Sequence, residues 1–347
     1  MNELSVSTSD SAEGAAQTNT TFADIWNQIT AADGLLIATH AHPDSDAVAS
    51  VLAVTDLAVT RGVRVIPVVG DGELPETLTF LPGAERLRDP ASVERSEFDT
   101  ILVVDCAELH RMGPFYRKHA DWFDDQVPLL SIDHHITNSG FGRARIIDPT
   151  AAATCEVLFL MFADLQLPIT ADVATCLATG LYGDTLGLKT PSTTSRTLSV
   201  AADLTEAGAD VVAIVDNLFR IKPFTTVKLW GLALSRAQLL GKLIWTEITP
   251  EMLEASGATA AEGEGIVNFI AGTREARASV LLYQNPSGWR ASLRAIAEDI
   301  DVARLAKLYG GGGHSRAAGC SLAPGVEARD AFLTDISERV GAVRDSR

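Results

Sequence analysis

Residues 35–69 read LLIATHAHPDSDAVASVLAVTDLAVTRGVRVIPVV. Leu35–Ala38 is short and wholly apolar, as a strand buried on both faces must be. It ends at Thr39-His40, ahead of a turn that contains Pro43. From Asp46 to Thr60 the apolar residues Val48, Val51, Leu52 and Leu57 recur at helical spacing. Val63–Val69 is a second apolar, β-branched run. Strand, helix and strand in this order predict a parallel sheet.

The pattern continues outward. Thr100–Val104 reads as a strand that runs into Asp105, and Leu129–Ile132 as one that runs into Asp133-His134-His135. Helical spacing follows at Cys155–Leu165 and Ala171–Tyr182. The fold class is α/β: a parallel sheet with helices on both faces. In such sheets ligands bind beyond the carboxyl ends of the strands, where these acidic and histidine residues lie. Residues 192–240 read as mainly helical (Ser195–Ala207, Ala209–Phe219, Thr225–Leu240), interrupted at Lys222-Pro223. Further on, Ala278–Tyr283 and Trp289–Ala295 read as strands joined by the turn Asn285-Pro286-Ser287-Gly288. A helix at Val302–Leu308 runs into Gly310–Gly313. These elements predict a smaller α+β domain. The expected division is a disordered tail (1–20), a catalytic domain (21–215), a linker (216–226) and a substrate-binding domain (227–347).

Composition narrows the partners. The chain has 347 residues, 46% hydrophobic and 21% charged, which is globular composition. Its 28 Lys and Arg against 45 Asp and Glu give a net charge of −17. No broad basic field exists for long duplex nucleic acid, whose binding needs many cationic contacts. A polyanionic substrate must be short and held locally. No apolar run approaches the ~20 residues that span a bilayer. Four scattered cysteines without C-x-x-C spacing argue against a disulfide scaffold or zinc ribbon and for a reducing compartment, the cytoplasm.

Six residues carry metal-ligand chemistry. In His40-Ala-His-Pro-Asp44-Ser-Asp46, at a strand-to-helix junction, the carboxylates suit two adjacent ions, although an Asp before a helix is ordinarily a cap. His42 is placed on the rim. Asp105, at the end of a buried strand, is costly unless paired or metal-bound. His134 and His135, on extended chain, would point to opposite sides, so one would ligate and the other contact substrate. Asp184 closes a helix whose dipole it opposes, and a cation would offset that. Imidazoles and carboxylates without thiolate favour Mn²⁺, Fe²⁺ or Co²⁺ over structural zinc, and several carboxylates suggest a paired site able to clamp a phosphoryl displacement. Near the C-terminus, GGGGHSRAAG (310–319) offers glycine N–H groups with His314 and Arg316 to an anion. Arg294 is a further anion contact.

These motifs, in this order, resemble the DHH phosphoesterase superfamily over nearly the whole chain after the tail. His40-x-x-Pro43-Asp44-x-Asp46 is similar to its first motif, Val103-Val104-Asp105 to the second, Asp133-His134-His135 to the third and Gly183-Asp184-Thr185 to the fourth. Gly310–His314 with Ala317-Ala318-Gly319 resembles the DHH-associated C-terminal domain of the first type. The similarity is greatest to the NrnA-like branch, the nanoRNases and pAp phosphatases. Single-strand exonucleases of the RecJ type are longer, and family II pyrophosphatases lack the Gly-Gly-Gly-His signature. The chain departs from the pattern at Thr185-Leu-Gly-Leu188, where relatives carry an aromatic, and at His42.

The resemblance implies two Mn²⁺ ions. His40, Asp44 and Asp105 would hold one. Asp46, Asp105, His134 and Asp184 would hold the other, with Asp105 bridging. His135 would contact the scissile phosphate, so His135 and Asp105 are the expected catalytic residues. Arg294, Gly311, Gly312, Gly313, His314 and Arg316 would hold the far end of the substrate across an interdomain cleft. The implied reaction is hydrolysis of short oligoribonucleotides or linear dinucleotides such as pApA, with pAp as a further substrate. The alternatives are a cyclic di-AMP phosphodiesterase, a pyrophosphatase and a non-catalytic nucleotide sensor. A homodimer is compatible with the apolar helical surface.

Overall fold

The computed structural model describes residues 19–124 and 126–342. The chain divides into two compact units, the first ending at Ile221 and the second beginning at Lys222.

The first unit opens with helix α1 (Phe22–Thr30) and then builds a five-stranded sheet. In chain order come β1 (Gly34–Thr39), helix α2 (Ser45–Thr60), β2 (Arg64–Val69), β3 (Thr100–Val104), the short helix α3 (Pro114–Lys118), β4 (Leu129–Asp133) and β5 (Ala144–Ile147). Helices α4 (Thr154–Asp164), α5 (Ala171–Asp184), α6 (Ser195–Glu206) and α7 (Val211–Val215) follow. Every strand pairing is parallel, in the order β2-β1-β3-β4-β5. The order reverses between β1 and β3, and at such a reversal the carboxyl ends splay to leave a crevice. His40 and Asp105 are the first residues beyond those two strands.

Alternate residues of each strand feed two cores, as the pleat requires. Leu35, Ile37, Leu102, Val104, Leu130 and Ile132 pack under the longer helices. Leu36, Ala38, Ile101 and Val103 face an aromatic layer of Phe98, Phe115, Trp122 and Phe123, carried by α3 and single 3₁₀ turns. Both faces are covered, one by full helices and the other by short turns. Close approach of α5 to α2 depends on two glycines. A Cβ at Gly183 would overlap Ser45 Oγ, and one at Gly180 would strike Cys155 Sγ and Asp46 Oδ1.

Strand β5 lies at the sheet edge, too short for sequence periodicity to mark. Asn19 and Thr20, assigned to the tail by composition, pair along it. Thr20 N–H donates to Arg145 O (2.8 Å) and Asn19 Nδ2 to Ile147 O (2.8 Å). They satisfy groups that an open edge would expose. The rest of the expected tail, residues 1–18, lies outside the described residues.

The second unit comprises α8 (Phe224–Ser235), β6 (Gln238–Leu240), β7 (Leu243–Ile248), α9 (Pro250–Ser256), α10 (Ile266–Ile270), β8 (Ala278–Asn285), β9 (Gly288–Ala295), α11 (Val302–Lys307), β10 (Gly312–His314), β11 (Ala317–Leu322) and α12 (Val326–Ala342). Its mixed sheet runs β10-β11-β9-β8-β7-β6, with only β7 and β8 parallel. One face packs on α11 and α12, the other on α8, α9 and α10.

Three expected elements differ here. The helix read through Leu240 stops at Ser235, because Gln238–Leu240 pairs with β7. The apolar Leu239-Leu240 continued the helical period, and tertiary pairing overrode it. The helix read over Ala209–Phe219 is α7 followed by a π-turn over Asp216–Arg220. The glycine run, read as a loop, ends in an edge strand, since Gly312–His314 pairs with Gly319–Ala317. A Cβ at Gly311 would collide with Gly319 O, so only glycine lets the backbones approach there. No helix among the described residues is long and apolar enough to cross a membrane.

Candidate metal centre

Beyond the carboxyl ends of β1, β3 and β4 the structure gathers His40, Asp44, Asp46, Asp105, His134, His135 and Asp184. Asp44 is the N-cap of α2: its Oδ1 accepts from Asp46 N and Ala47 N, both at 3.1 Å. Its other oxygen, Oδ2, lies 3.9 Å from His40 Nε2. One carboxylate therefore caps the helix and still presents an oxygen to the site. Asp46, wholly buried in the first turn of α2, accepts from the N–H groups of Thr154 (2.6 Å) and Cys155 (3.0 Å) at the start of α4. Asp105 sits at φ +50°, a left-handed conformation that aspartate tolerates better than most residues. Its Oδ1 accepts from Thr154 Oγ1 at 2.9 Å.

The histidine tautomers follow from backbone contacts. His40 Nδ1 donates to Ala41 O (2.9 Å), and His134 Nδ1 to Ala151 O (3.2 Å). In the neutral ring each Nε2 then carries the lone pair, the arrangement of a metal-binding imidazole. Both Nε2 atoms are buried and lack a hydrogen-bond partner. His40 Nε2 lies 3.7 Å from Asp105 Oδ2. His134 Nε2 lies 3.7 Å from Asp105 Oδ1 and 3.2 Å from Asp184 Oδ2. Among the described residues four groups have their ligand atoms within 4.8 Å of one another: His40, Asp44 and Asp105; Asp105, His134 and His135; Asp46, His134 and Asp184; and, on the surface, His42, Asp71 and Glu73. Asp105 belongs to the first two and His134 to the second and third, so these three groups form one cluster.

The electrostatics call for positive charge. Burial raises the Asp46 carboxyl well above its usual range, and the Asp105 and Asp184 charges add to this. Burial likewise raises Asp184. Burial works against a charged His134, yet Asp184 and the neighbouring carboxylates push it up to about 10. Asp105 ends lower than usual despite burial, because three histidines surround it. The buried basic nitrogens, the convergent carboxylates and the lack of thiolates fit divalent cations of the oxygen- and nitrogen-preferring kind.

His134 and His135 do not face opposite sides. Strand β4 ends at Asp133, and both rings approach Asp105, with His135 Nδ1 3.6 Å from its Oδ1. Asp133 is the organiser of the pair. Its buried Oδ1 accepts from His134 N (2.8 Å), His135 N (3.2 Å) and His135 Nδ1 (2.8 Å). Its Oδ2 accepts from Asn138 Nδ2 at 2.6 Å. The Asp133 bond holds the His135 ring charged more readily than usual, against burial. Asn138→Ala is expected to lower kcat about 10–100-fold, the usual cost of losing a group that orients a ligand, with little change in KM. Steady-state kinetics check this; an unchanged kcat would count against the orienting role. Sequence reading missed Asn138 and Thr154 because nothing local marks them. Thr154 meets Asp105 across 49 positions. His42 projects its side chain to solvent and pairs with Asp71 at 3.0 Å, which leaves it outside the cluster.

The remaining expected residues lie on the second unit. Arg294 pairs with Ala317 across β9 and β11, and Ala317 with His314 across β11 and β10. Directly opposed residues share a face, so Arg294 and His314 stand on one face about 10 Å apart, two strand spacings. Between them lies the small Ala317, and the next row is Ser292, Gly319 and Gly312. Arg294 Nε donates to Asn268 Oδ1 (2.8 Å), which orients it. Arg316 reaches Ala297 O at 2.8 Å.

Comparison with known proteins agrees with this architecture. Residues 35–181 match the model of the DHH family, N-terminal domain, and residues 244–342 that of the DHHA1 domain. The chain is 30% identical over 295 residues to the bifunctional oligoribonuclease and PAP phosphatase NrnA of Thermus thermophilus, covering 83% of this chain and 84% of that one. It is 26% identical over 314 residues to the protein of the same name in Bacillus subtilis, covering 88% and 94%. An exopolyphosphatase-related protein of Bacteroides fragilis has the same fold, with TM-score 0.83, 22% identity and coverage of 92% and 96%. On its two domain matches and its similarity to these relatives over most of its length, the chain belongs to the DHH family of phosphoesterases.

Proposed function

We propose that the protein is a two-Mn²⁺ phosphoesterase that hydrolyses short oligoribonucleotides and linear dinucleotides such as pApA to mononucleotides, and pAp to AMP. The observation that carries this reading is the pair of buried, unpartnered histidine nitrogens set among four carboxylates at the strand ends. The activities in the names of the Thermus and Bacillus relatives support the substrate class.

In this reading His40, Asp44 and Asp105 would hold one ion, and Asp46, Asp105, His134 and Asp184 the other. Divalent cations so held would supply a nucleophile from water at neutral pH and offset charge on the phosphate. The protein does the rest. His135, half-exposed and oriented by Asp133, donates a hydrogen bond to the non-bridging oxygens as their charge grows. On the second unit Arg294, His314 and Arg316 offer charge-assisted contacts to a substrate phosphate. The trough of small residues around Gly312, with Gly311 and Gly313 beside it, leaves room for a nucleotide against the sheet. The net charge of −17 disfavours long polyanions away from the cations. The outer face of α8, with Phe224 and Val227 exposed, supports a homodimer. The four buried, free cysteines suit the cytoplasm.

A product time course tests the reading. Mn²⁺-loaded protein is incubated separately with pApA, pAp, cyclic di-AMP and pyrophosphate. The expected products are AMP from pApA, and AMP with phosphate from pAp. EDTA should abolish both reactions and added Mn²⁺ restore them. Turnover of pyrophosphate alone, or nucleotide binding without product, would overturn the proposal.

A further inference from the structure

The first unit has a cavity of about 730 Å³ on the aromatic face of its sheet beside the edge strand β5. It uses none of the metal-centre residues. Its lining includes the apolar Leu109, Phe123 and Phe141 and the basic Arg143 and Arg145. Among the described residues of its lining the one acid is Asp124, whose two oxygens are engaged by Gln126, at 3.0 and 3.3 Å.

Among the described residues neither guanidinium has a carboxylate partner, and burial sets Arg145 apart from the exposed arginines that also lack one. Arg145 Nε is buried without any acceptor. A buried donor left unpaired costs stability, and a chain with a net charge of −17 has no shortage of carboxylates to supply one. The guanidinium instead lies against Gly140, whose absent side chain makes the space: a Cβ there would come 3.2 Å from Arg145 Nη1. The same loop carries Asn138, whose Oδ1 accepts from Gly140 N at 2.8 Å. The cavity and the histidine pair thus share one loop.

Paired guanidinium forks bind phosphate oxygens in preference to other anions. The phenyl rings on the same lining suit a flat ring. The volume lies in the range of small-ligand sites. From these three features we infer that the cavity is a binding site for a nucleoside monophosphate, separate from the metal centre. The phosphate lies between Arg143 and Arg145, and the base lies against Phe141.

Titration calorimetry with AMP tests this on the full chain in EDTA, where the acidic metal cluster repels phosphate. One equivalent of AMP is expected to bind. Arg143→Ala, which alters an exposed side chain, is expected to weaken binding at least about ten-fold, as loss of a charged hydrogen-bond partner does. Its Mn²⁺-dependent turnover and melting temperature should match the wild type. Arg145→Ala should behave alike in binding, and Arg294→Ala should bind AMP normally. Absence of binding, equal affinity in wild type and Arg143→Ala, or binding lost only in Arg294→Ala would each overturn the inference.

Discussion

Asp105→Asn is expected to lower Mn²⁺-dependent hydrolysis of pApA at least about 10³-fold, the upper end of the cost of one electrostatic stabiliser, in a protein that still folds. Asp105 is buried, and its two oxygens face His40 on one side and His134 on the other. Among the described residues it is the one carboxylate grouped both with His40 and Asp44 and with His134 and His135. Asparagine is the appropriate replacement for two reasons. It tolerates the φ of +50° at this position, where alanine would add strain. It also keeps an oxygen for the Thr154 hydroxyl. What it removes is the negative charge. Metal analysis should show less Mn²⁺ bound per chain, and the melting temperature without metal should not fall. Turnover near the wild-type rate would sink the assignment of Asp105 as the shared ligand.

The largest expected effect on stability comes from a residue that touches no proposed substrate or metal. Glu156→Ala is expected to destabilise the first unit by about 3 kcal/mol, the low end of the cost of removing one member of a buried ion pair. Glu156 is fully buried on α4 and takes part in three contacts. It accepts from Arg196 Nε at 2.5 Å, Thr197 Oγ1 at 3.0 Å and Ala152 N at 3.0 Å. Its removal leaves Ala152 N unpaired in the interior and the Thr197 hydroxyl with only Thr194 Oγ1, at 3.2 Å, to donate to. Arg196 keeps Asp148 at 3.1 Å and is partly exposed, which is why the low end applies.

The consequence should extend to the metal centre. Glu156 fixes the segment in which Ala151 O orients His134 and the Thr154 and Cys155 N–H groups hold Asp46. Weaker Mn²⁺ binding should therefore accompany the loss of stability. Urea denaturation in EDTA, paired with a Mn²⁺ titration, checks both. Glu156→Gln, which keeps an acceptor, should cost less. A wild-type urea midpoint for Glu156→Ala would show that the network contributes little.

Local order made much of this protein legible before any coordinates. An apolar run followed at once by an acid or histidine places that residue at a strand end, because a buried strand cannot carry it inside. This reasoning located His40, Asp105 and His134 on one sheet edge, and helical spacing located Asp44, Asp46 and Asp184 at helix ends. It left the six-residue β7 and β11 unmarked, and it failed for β5, β6 and β10, which are three or four residues long and lie at sheet edges. Such strands exist only because a neighbour supplies hydrogen bonds.

The sequence by itself thus determined the parallel sheet, the residue types at its carboxyl edge and the family. Tertiary structure alone decided how those residues act. It made Asp133 the anchor of His135 and brought Thr154 onto Asp105. It let α5 close on α2 at Gly180 and Gly183, and aligned Arg294 with His314 across three strands. The physical reason is range. Backbone preference and hydrophobic period act over a few residues, whereas ligand orientation depends on packing between segments that only the folded chain brings together.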